Sequence, residues 1–379
     1  MIQPRRISST HVAFSLLSIA LLQGTAVETP PVRPPRPAPL VSPEILQEGE
    51  VTFRIKAEHA KEVKVVGQFG PPRPLVKSEQ GVWSVSIPEV PKGIHEYHFV
   101  VDGLSVLDSQ NPSIKPQRSP SSSILHVPSQ PSAPWDWQDI PHGVLHQHEY
   151  HSKVLGQIRR VFVYTPPGTR STTPLPVLYL SHGFGDNEAS WSAHGKAHWI
   201  MDDLIAKQKA VPMIVVMPDA HALPPRAGTF ESYAPDNSAA FCQDLLDEII
   251  PLVEGAYPVL RDPASRAFAG LSMGGHHALT VALQHHQTFA WIGAFSAAPV
   301  NARALEEPAA RAEAVNKHLR LLWIACGKAD FLRQHNAYFV EQLTSKGIQH
   351  EFVESQGDHS WPVWRQYLVD FAPRLFQTR

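Results

Sequence analysis

The sequence predicts two domains in tandem, a small all-β sandwich followed by an α/β domain with a mostly parallel sheet. Three observations predict this. Short runs alternating apolar and polar residues fill the stretch after residue 43, and a proline-rich break follows them. Beyond the break, apolar β-type runs alternate with helical patterns, and one run passes through Gly270-Leu271-Ser272-Met273-Gly274 into a helix.

In chain order, the N-terminus carries Arg5 and Arg6, then the apolar stretch from Val12 to Leu22, then Gly24-Thr25-Ala26. This is the layout of a secretory signal peptide over residues 1–26, and the apolar run is too short for an ordinary membrane span. The expected location is therefore secreted or periplasmic, with no membrane contact beyond that segment. Residues 27–43 are dominated by proline, which favours an extended linker.

The runs "VTFRIKA", "EVKVVGQFG", "VWSVSIPEV", "HEYHFVVDG" and "SSILHVP" assign a β-sandwich to residues 44–127. A second proline-rich linker is expected over 128–140. From 141 to 379, the runs "RRVFVYTPP", "PLPVLYLSHG", "PMIVVMPDA", "RAFAG", "WIGAFSA", "LRLLWIACG" and "HEFVES" read as strands. Between them, "SAAFCQDLLDEIIPLVEGAY" places Phe241, Leu245, Ile249 and Leu252 at helical spacing.

At 379 residues the chain is long enough for each part to bury a core. A formal net charge of -2, with Lys and Arg scattered, offers no electrostatic footprint for nucleic acid. The 2 cysteines, Cys242 and Cys326, cannot supply a disulfide framework and read as small buried hydrophobes. Oligomeric state is not legible.

The chemistry concentrates at Ser272. The glycines of G-x-S-x-G relieve crowding at a sharp strand-to-helix turn that lifts the hydroxyl above the sheet edge. An unassisted serine hydroxyl is a poor nucleophile, so it needs a base and an acid to orient that base. In α/β-hydrolases these follow in the order serine, acid, histidine. Here Asp330 follows "LRLLWIACG" and His359 follows "HEFVES", each just beyond the C-terminal end of an expected strand, where open α/β sheets place their sites. Asp330 also stands where it would cap a helix beginning near Phe331, and Asp358 is a rival acid made awkward by its adjacency to His359.

The loop "LSHGFGDNEASW" offers backbone amides for an oxyanion, and Phe184 N–H paired with Met273 N–H is the expected hole. Trp361 and Trp364 flank the base as candidate substrate-binding residues, though such a pair is as often core. His194 and His198, four apart, would share a helix face but lack a third ligand, so no metal site is expected. His276 and His277 read as packing and surface residues. The loop "HALPPRAGTFESYAPDNS" is expected to shape the acyl pocket.

From about Pro141 onward, "PHG", "VYTPPG", "SHGFGDNEASW", "AFCQDLLDEIIPLVEGAY", "GLSMGG", "GKADFL" and "GDHSWPVWR" resemble the esterase D-like α/β-hydrolases of carbohydrate esterase family 1, which includes feruloyl and acetyl xylan esterases. The resemblance implies that Ser272, His359 and Asp330 are the catalytic triad and that Phe184 and Met273 supply the oxyanion amides. No cofactor is implied. Residues 44–127 resemble the immunoglobulin-like early-set domain found before such esterases, a relative of carbohydrate-binding module family 48. The tryptophan of a starch-binding platform is not evident there, and Phe69 stands in its region.

The reading is a secreted serine esterase acting on acylated plant polysaccharide or oligosaccharide, or on a small-molecule ester. The same serine chemistry would serve a siderophore or other non-carbohydrate esterase, or an acyltransferase. A catalytically inactive carbohydrate-binding protein is the alternative from another class.

Overall fold

The computed structural model describes residues 39–46, 49–224 and 229–377. The expected signal peptide and residues 27–38 of the expected first linker lie outside the described residues. Leu40–Arg379 forms one compact unit.

The sandwich pairs two antiparallel sheets. One runs in the order Glu44–Ile45, Val51–Lys56, Val82–Ile87, Val76–Lys77. In the other, Gly93–Val101 pairs with Val63–Gly67, Leu104–Val106 and Ser123–Val127, and Gly70–Pro74 extends the edge. Period-two alternation sends Val51, Phe53, Val63, Val65, Trp83, Tyr97, Phe99 and Leu125 inward, where they form one apolar core. Phe69 packs against that core, stacked on Phe53 with centroids 5.3 Å apart, and so presents no open platform.

The second part is built on an eight-stranded sheet. Its strands are β1 (Val144–Ser152), β2 (Gln157–Thr165), β3 (Val177–Ser181), β4 (Ile214–Pro218), β5 (Arg266–Leu271), β6 (Trp291–Phe295), β7 (Leu321–Gly327) and β8 (Glu351–Ser355). They lie in the order β1-β2-β4-β3-β5-β6-β7-β8. Across the order from β4 to β8 neighbours pair in parallel, while β1 and β2 form an antiparallel edge hairpin and β2 meets β4 antiparallel.

Strands β3 to β7 are buried throughout, as strands covered on both faces must be. One face packs Phe241, Leu245, Ile249 and Leu279, and the other packs Ile200, Met201, Tyr367, Leu368 and Phe371. These two layers make the α/β-hydrolase sandwich.

The linker at 128–140 is packed: buried Asp136 accepts the amides of Ser129 and Ala133, and Gln138 Nε2 donates to Asp203 at 2.8 Å. Two expectations need correction. The polar acyl-pocket loop is helical from its middle, because α2 (Phe230–Asp244) starts at a Thr229 cap and accommodates Pro235. His194 and His198 do not share a helix: His194 closes a π-turn, and Lys196 at φ 55° precedes α1 (Ala197–Ala206).

Candidate active site

Strand β5 ends at Leu271, and the chain turns at Ser272 into a helical segment beginning Met273–His277. Ser272 has φ 51° and ψ -109°, a conformation an L residue rarely adopts. Three bonds hold it there. Its N–H donates to Phe295 O at 2.8 Å, and its carbonyl accepts from His276 and Ala298, both at 2.9 Å.

The flanking glycines are required by space. A Cβ on Gly270 would lie 2.6 Å from the Gly274 carbonyl carbon, and one on Gly274 would lie 2.5 Å from Ser181 O. The turn is therefore packed on the ends of β3 and β5 and leaves the serine hydroxyl as the group that projects.

Asp330, Ser272 and His359 come together from the ends of β7, β5 and β8. His359 Nε2 is 3.0 Å from Ser272 Oγ, and His359 Nδ1 lies 3.1 and 3.0 Å from the two carboxylate oxygens of Asp330. Asp330 also caps the following turn, accepting Leu332 N–H at 2.8 Å, so the capping and orienting roles coexist. Burial pushes its carboxyl up, but the His359 ring and the Leu332 amide outweigh burial and hold it below the usual carboxylate range. Asp358 instead accepts the Ser360 hydroxyl.

The loop after β3 faces this group. A Cβ on Gly183 would lie 2.6 Å from Leu271 Cδ1 and 3.6 Å from Ser272 Cβ, so any side chain there would have to displace Leu271. The amides of Phe184 and Met273 donate to no protein group among the described residues. Two free N–H groups beside a serine are the arrangement an oxyanion needs.

A cavity of about 180 Å³ opens over Ser272 and His359. One wall is aromatic, from Phe184, Trp361 and Trp364. Both tryptophans are largely core: Trp361 meets Trp191 edge-on at 5.1 Å, and Trp364 meets the His359 ring at 4.9 Å. The other wall comes from the β-sandwich, which contributes Gln68, Glu96, Lys115 and Gln117. Lys115 Nζ pairs with Glu96 at 2.9 Å.

Sequence reasoning missed that wall. It also missed Phe331, 73% exposed, whose ring centroid lies 4.6 Å from that of His359. Its position next to the orienting acid was the available signal. His276 and His277 are both interior, so both pack and neither takes the surface role. His276 Nδ1 lies 2.7 Å from Pro299 O, and His277 stacks on Phe241 at 4.7 Å. Both cysteines are free, Cys326 buried and Cys242 half-buried, and burial pushes their thiols up to about 12 and about 11.

Fold and site together define a serine-hydrolase-like member of the α/β-hydrolase class. The family model described as "Putative esterase" matches residues 152–375, and the chain belongs to that family. The model "Carbohydrate-binding module 48 (Isoamylase N-terminal domain)" matches residues 41–115.

An endo-1,4-beta-xylanase/feruloyl esterase of Xylanibacter ruminicola is 31% identical over 345 residues, covering 88% of this chain and 46% of that protein. The chain thus spans less than half the length of this relative. An acetyl esterase of Caldicellulosiruptor saccharolyticus is 23% identical, covering 52% of this chain and 81% of its own. Among solved structures, a ferulic acid esterase of Anaeromyces mucronatus aligns with TM-score 0.56 at 23% identity, over 64% of this chain and 93% of that one. The enterobactin esterase of Shigella flexneri aligns with TM-score 0.57 at 20% identity, over 85% and 93% respectively.

Proposed function

We propose that this chain is a serine esterase that cleaves carboxylic esters on plant polysaccharide or oligosaccharide, feruloyl or acetyl, through an acyl-enzyme. The observation that carries the reading is the continuous relay from Ser272 Oγ through both nitrogens of His359 to Asp330.

In the first half-reaction Ser272 Oγ attacks the ester carbonyl carbon while His359 Nε2 takes the hydroxyl proton. The carbonyl π-electrons move to oxygen, and the amides of Phe184 and Met273 receive the resulting oxyanion. Collapse of the tetrahedral intermediate expels the alcohol, protonated by His359. In the second half-reaction His359 deprotonates water, which attacks the acyl-enzyme and releases the acid and the free serine. Asp330 holds the imidazole with Nδ1 protonated and stabilises the imidazolium.

The substrate class draws support from the relatives, named as feruloyl and acetyl esterases, and from the cavity. Space of about 150 Å³ accepts a benzene ring in an apolar core. The 180 Å³ over Ser272, with its tryptophan wall, is therefore roomy enough for one aromatic ring. Export draws support from the order of Arg5, Arg6, the Val12–Leu22 apolar run and Gly24-Thr25-Ala26. N-terminal sequencing of chain recovered outside the expressing cell tests it.

The deciding experiment measures product release from methyl ferulate, acetylated xylan and 4-nitrophenyl acetate by the full chain and by Ser272→Ala. Ferulate release lost in the variant supports a feruloyl esterase, and acetate release alone supports a deacetylase. Turnover retained by Ser272→Ala would overturn the mechanism.

A further inference from the structure

The loop that carries Phe184 is held in place by the β-sandwich. Between strands Leu104–Val106 and Ser123–Val127 the sandwich chain makes an excursion, closed at its base by the bridge between Ile114 and Ser123 and by Lys115 N–H donating to Ser122 O at 2.9 Å. Its tip reaches the loop after β3. Gln117 pairs with Asp186 as an antiparallel bridge, and Arg118 N–H donates to Gly185 O at 2.8 Å. Asn187 Nδ2 donates to Gln117 O at 3.3 Å, and Ser190 Oγ donates to Pro116 O at 2.8 Å.

The Arg118 side chain secures the far side. Its Nη2 donates to Leu223 O at 3.1 Å, and its Nη1 lies 3.0 Å from Nδ1 of His221. His221 Nε2 in turn accepts Gly185 N–H at 3.2 Å. Both backbone polar groups of Gly185 are thereby fixed, one by the Arg118 main chain and the other by the imidazole beside its guanidinium. Gly185 adopts φ 89° and directly follows Phe184.

This matters because Phe184 sits between two glycines. Gly183 and Gly185 are what permit the turn, but glycine also gives a loop the most backbone freedom to lose. An oxyanion donor works only when fixed about 2.7–3.1 Å from where the charge develops. Within the loop Asp186 N–H donates to Gly183 O at 3.2 Å, and from outside it residues 116–118 and His221 hold Gly185.

We propose that this strap from the sandwich, with Arg118 as its positioning residue, sets the Phe184 amide in the oxyanion hole, so that the sandwich is a working part of the ester-cleaving site. The inference rests on the esterase reading above and adds to it a role for the first domain other than glycan capture. Arg118 touches no reacting atom. Its main-chain N–H holds Gly185 directly, and its guanidinium, anchored on Leu223 O, packs against the His221 ring, whose Nδ1–H donates to Tyr233 while Nε2 accepts Gly185 N–H.

The test uses the full chain with Arg118→Ala, Arg118→Lys and Ser272→Ala, each checked for the parent's melting temperature. Activity is measured on 4-nitrophenyl acetate and on the matching thionoester, whose sulfur gains little from an oxyanion hole. Arg118→Ala should lower kcat on the oxygen ester by about 10- to 100-fold with KM within about twofold, short of the roughly 10²–10³ of a deleted donor.

The decisive readout is the oxygen-to-sulfur ratio of kcat/KM, which should fall about tenfold in Arg118→Ala and recover partly in Arg118→Lys. A merely structural role would lower both esters together. Ser190→Ala cuts the strap at Pro116, and the same ratio is read there, alone if Arg118→Ala fails to fold. An unchanged ratio in folded Arg118→Ala and in folded Ser190→Ala, with activity still abolished by Ser272→Ala, overturns the strap with Arg118 as its positioning residue and leaves the esterase reading intact. Activity surviving Ser272→Ala sinks the esterase reading itself.

Discussion

Both carboxylate oxygens of Asp330 lie within 3.1 Å of the same ring nitrogen of His359, so the imidazole is held from one side while its other nitrogen meets Ser272. Asp330→Asn keeps the shape but supplies a neutral group whose amide hydrogens favour the wrong tautomer. We expect kcat to fall about 10³–10⁴-fold with KM nearly unchanged. Burial raises the Asp330 carboxyl, but the His359 ring and the Leu332 amide bring it below the usual range. A depressed carboxyl contributes stability that is complete above its unfolded value near pH 4 and is lost as the pH falls through its lower folded value. The unfolding free energy of the parent should therefore exceed that of Asp330→Asn by a constant amount from pH 5 to 7. The gap should narrow only below about pH 4. Chemical denaturation across that range checks it.

The nucleophile turn should reject even one methyl group. A Cβ on Gly274 would lie 2.5 Å from Ser181 O, a backbone atom of a buried strand that cannot step aside. Overpacking of this kind costs about 1–3 kcal/mol or more, so Gly274→Ala should lower both melting temperature and turnover. Gly255, in the helix Ile250–Ala256, meets nothing within 4 Å. Gly255→Ala should raise stability by about 0.4–1 kcal/mol and leave turnover alone. Equal effects at the two positions would show that the turn is looser than its geometry.

What the sequence made legible follows from period and order. Alternation marked the longer sandwich strands but not the short ones Glu44–Ile45, Gly70–Pro74, Val76–Lys77 and Leu104–Val106, and the chain order beyond strand ends pointed to Ser272, Asp330 and His359, which the structure brings within hydrogen-bond reach. Strand β1 was missed because "VLHQHEYHS" lies on an open edge and carries histidine, glutamine and glutamate where a buried strand would carry Val or Ile. The start of α2 was hidden because Pro235 and a run of polar residues look like loop. The strap was invisible for a different reason. Pro116, Gln117 and Arg118 sit in proline- and serine-rich coil without periodicity, and their partners lie some seventy residues or more along the chain. No local pattern encodes such a contact.

Exposure separates the aromatic residues around His359 into two kinds. Trp364 is 6% exposed and Phe331 is 73% exposed, although both rings lie within 5 Å of the His359 ring centroid. Trp364→Ala should cost about 3–5 kcal/mol as a core truncation, and turnover should fail with the fold. Phe331→Ala should change stability by less than about 0.5 kcal/mol. It should raise KM for aryl esters more than for acetyl esters, since an exposed ring has little packing to lose and an apolar face to offer substrate. Steady-state kinetics alongside thermal melts check both. A large stability loss in Phe331→Ala would refute the division.

Asp186, in the loop that carries Phe184, supplies a second pH signal beside the site. Its side chain is buried, and burial pushes its carboxyl up to about 6, opposed by His182 and Lys115 and reinforced by Glu96. The sign is opposite to that of Asp330. A raised carboxyl favours the protonated native state, so its contribution is complete below the unfolded value near pH 4 and disappears as the pH rises through about 6. A rise of that size is worth at most about 3 kcal/mol. Asp186→Asn removes the titration and keeps a neutral group of similar shape. The stability of the parent relative to Asp186→Asn should therefore fall between pH 4 and 6 and stay flat above pH 7. Urea unfolding at several pH values reads the difference directly. A parent-to-variant gap independent of pH would mean that Asp186 is solvated, and that the loop beside Ser272 is more open than its packing against Gln117 requires.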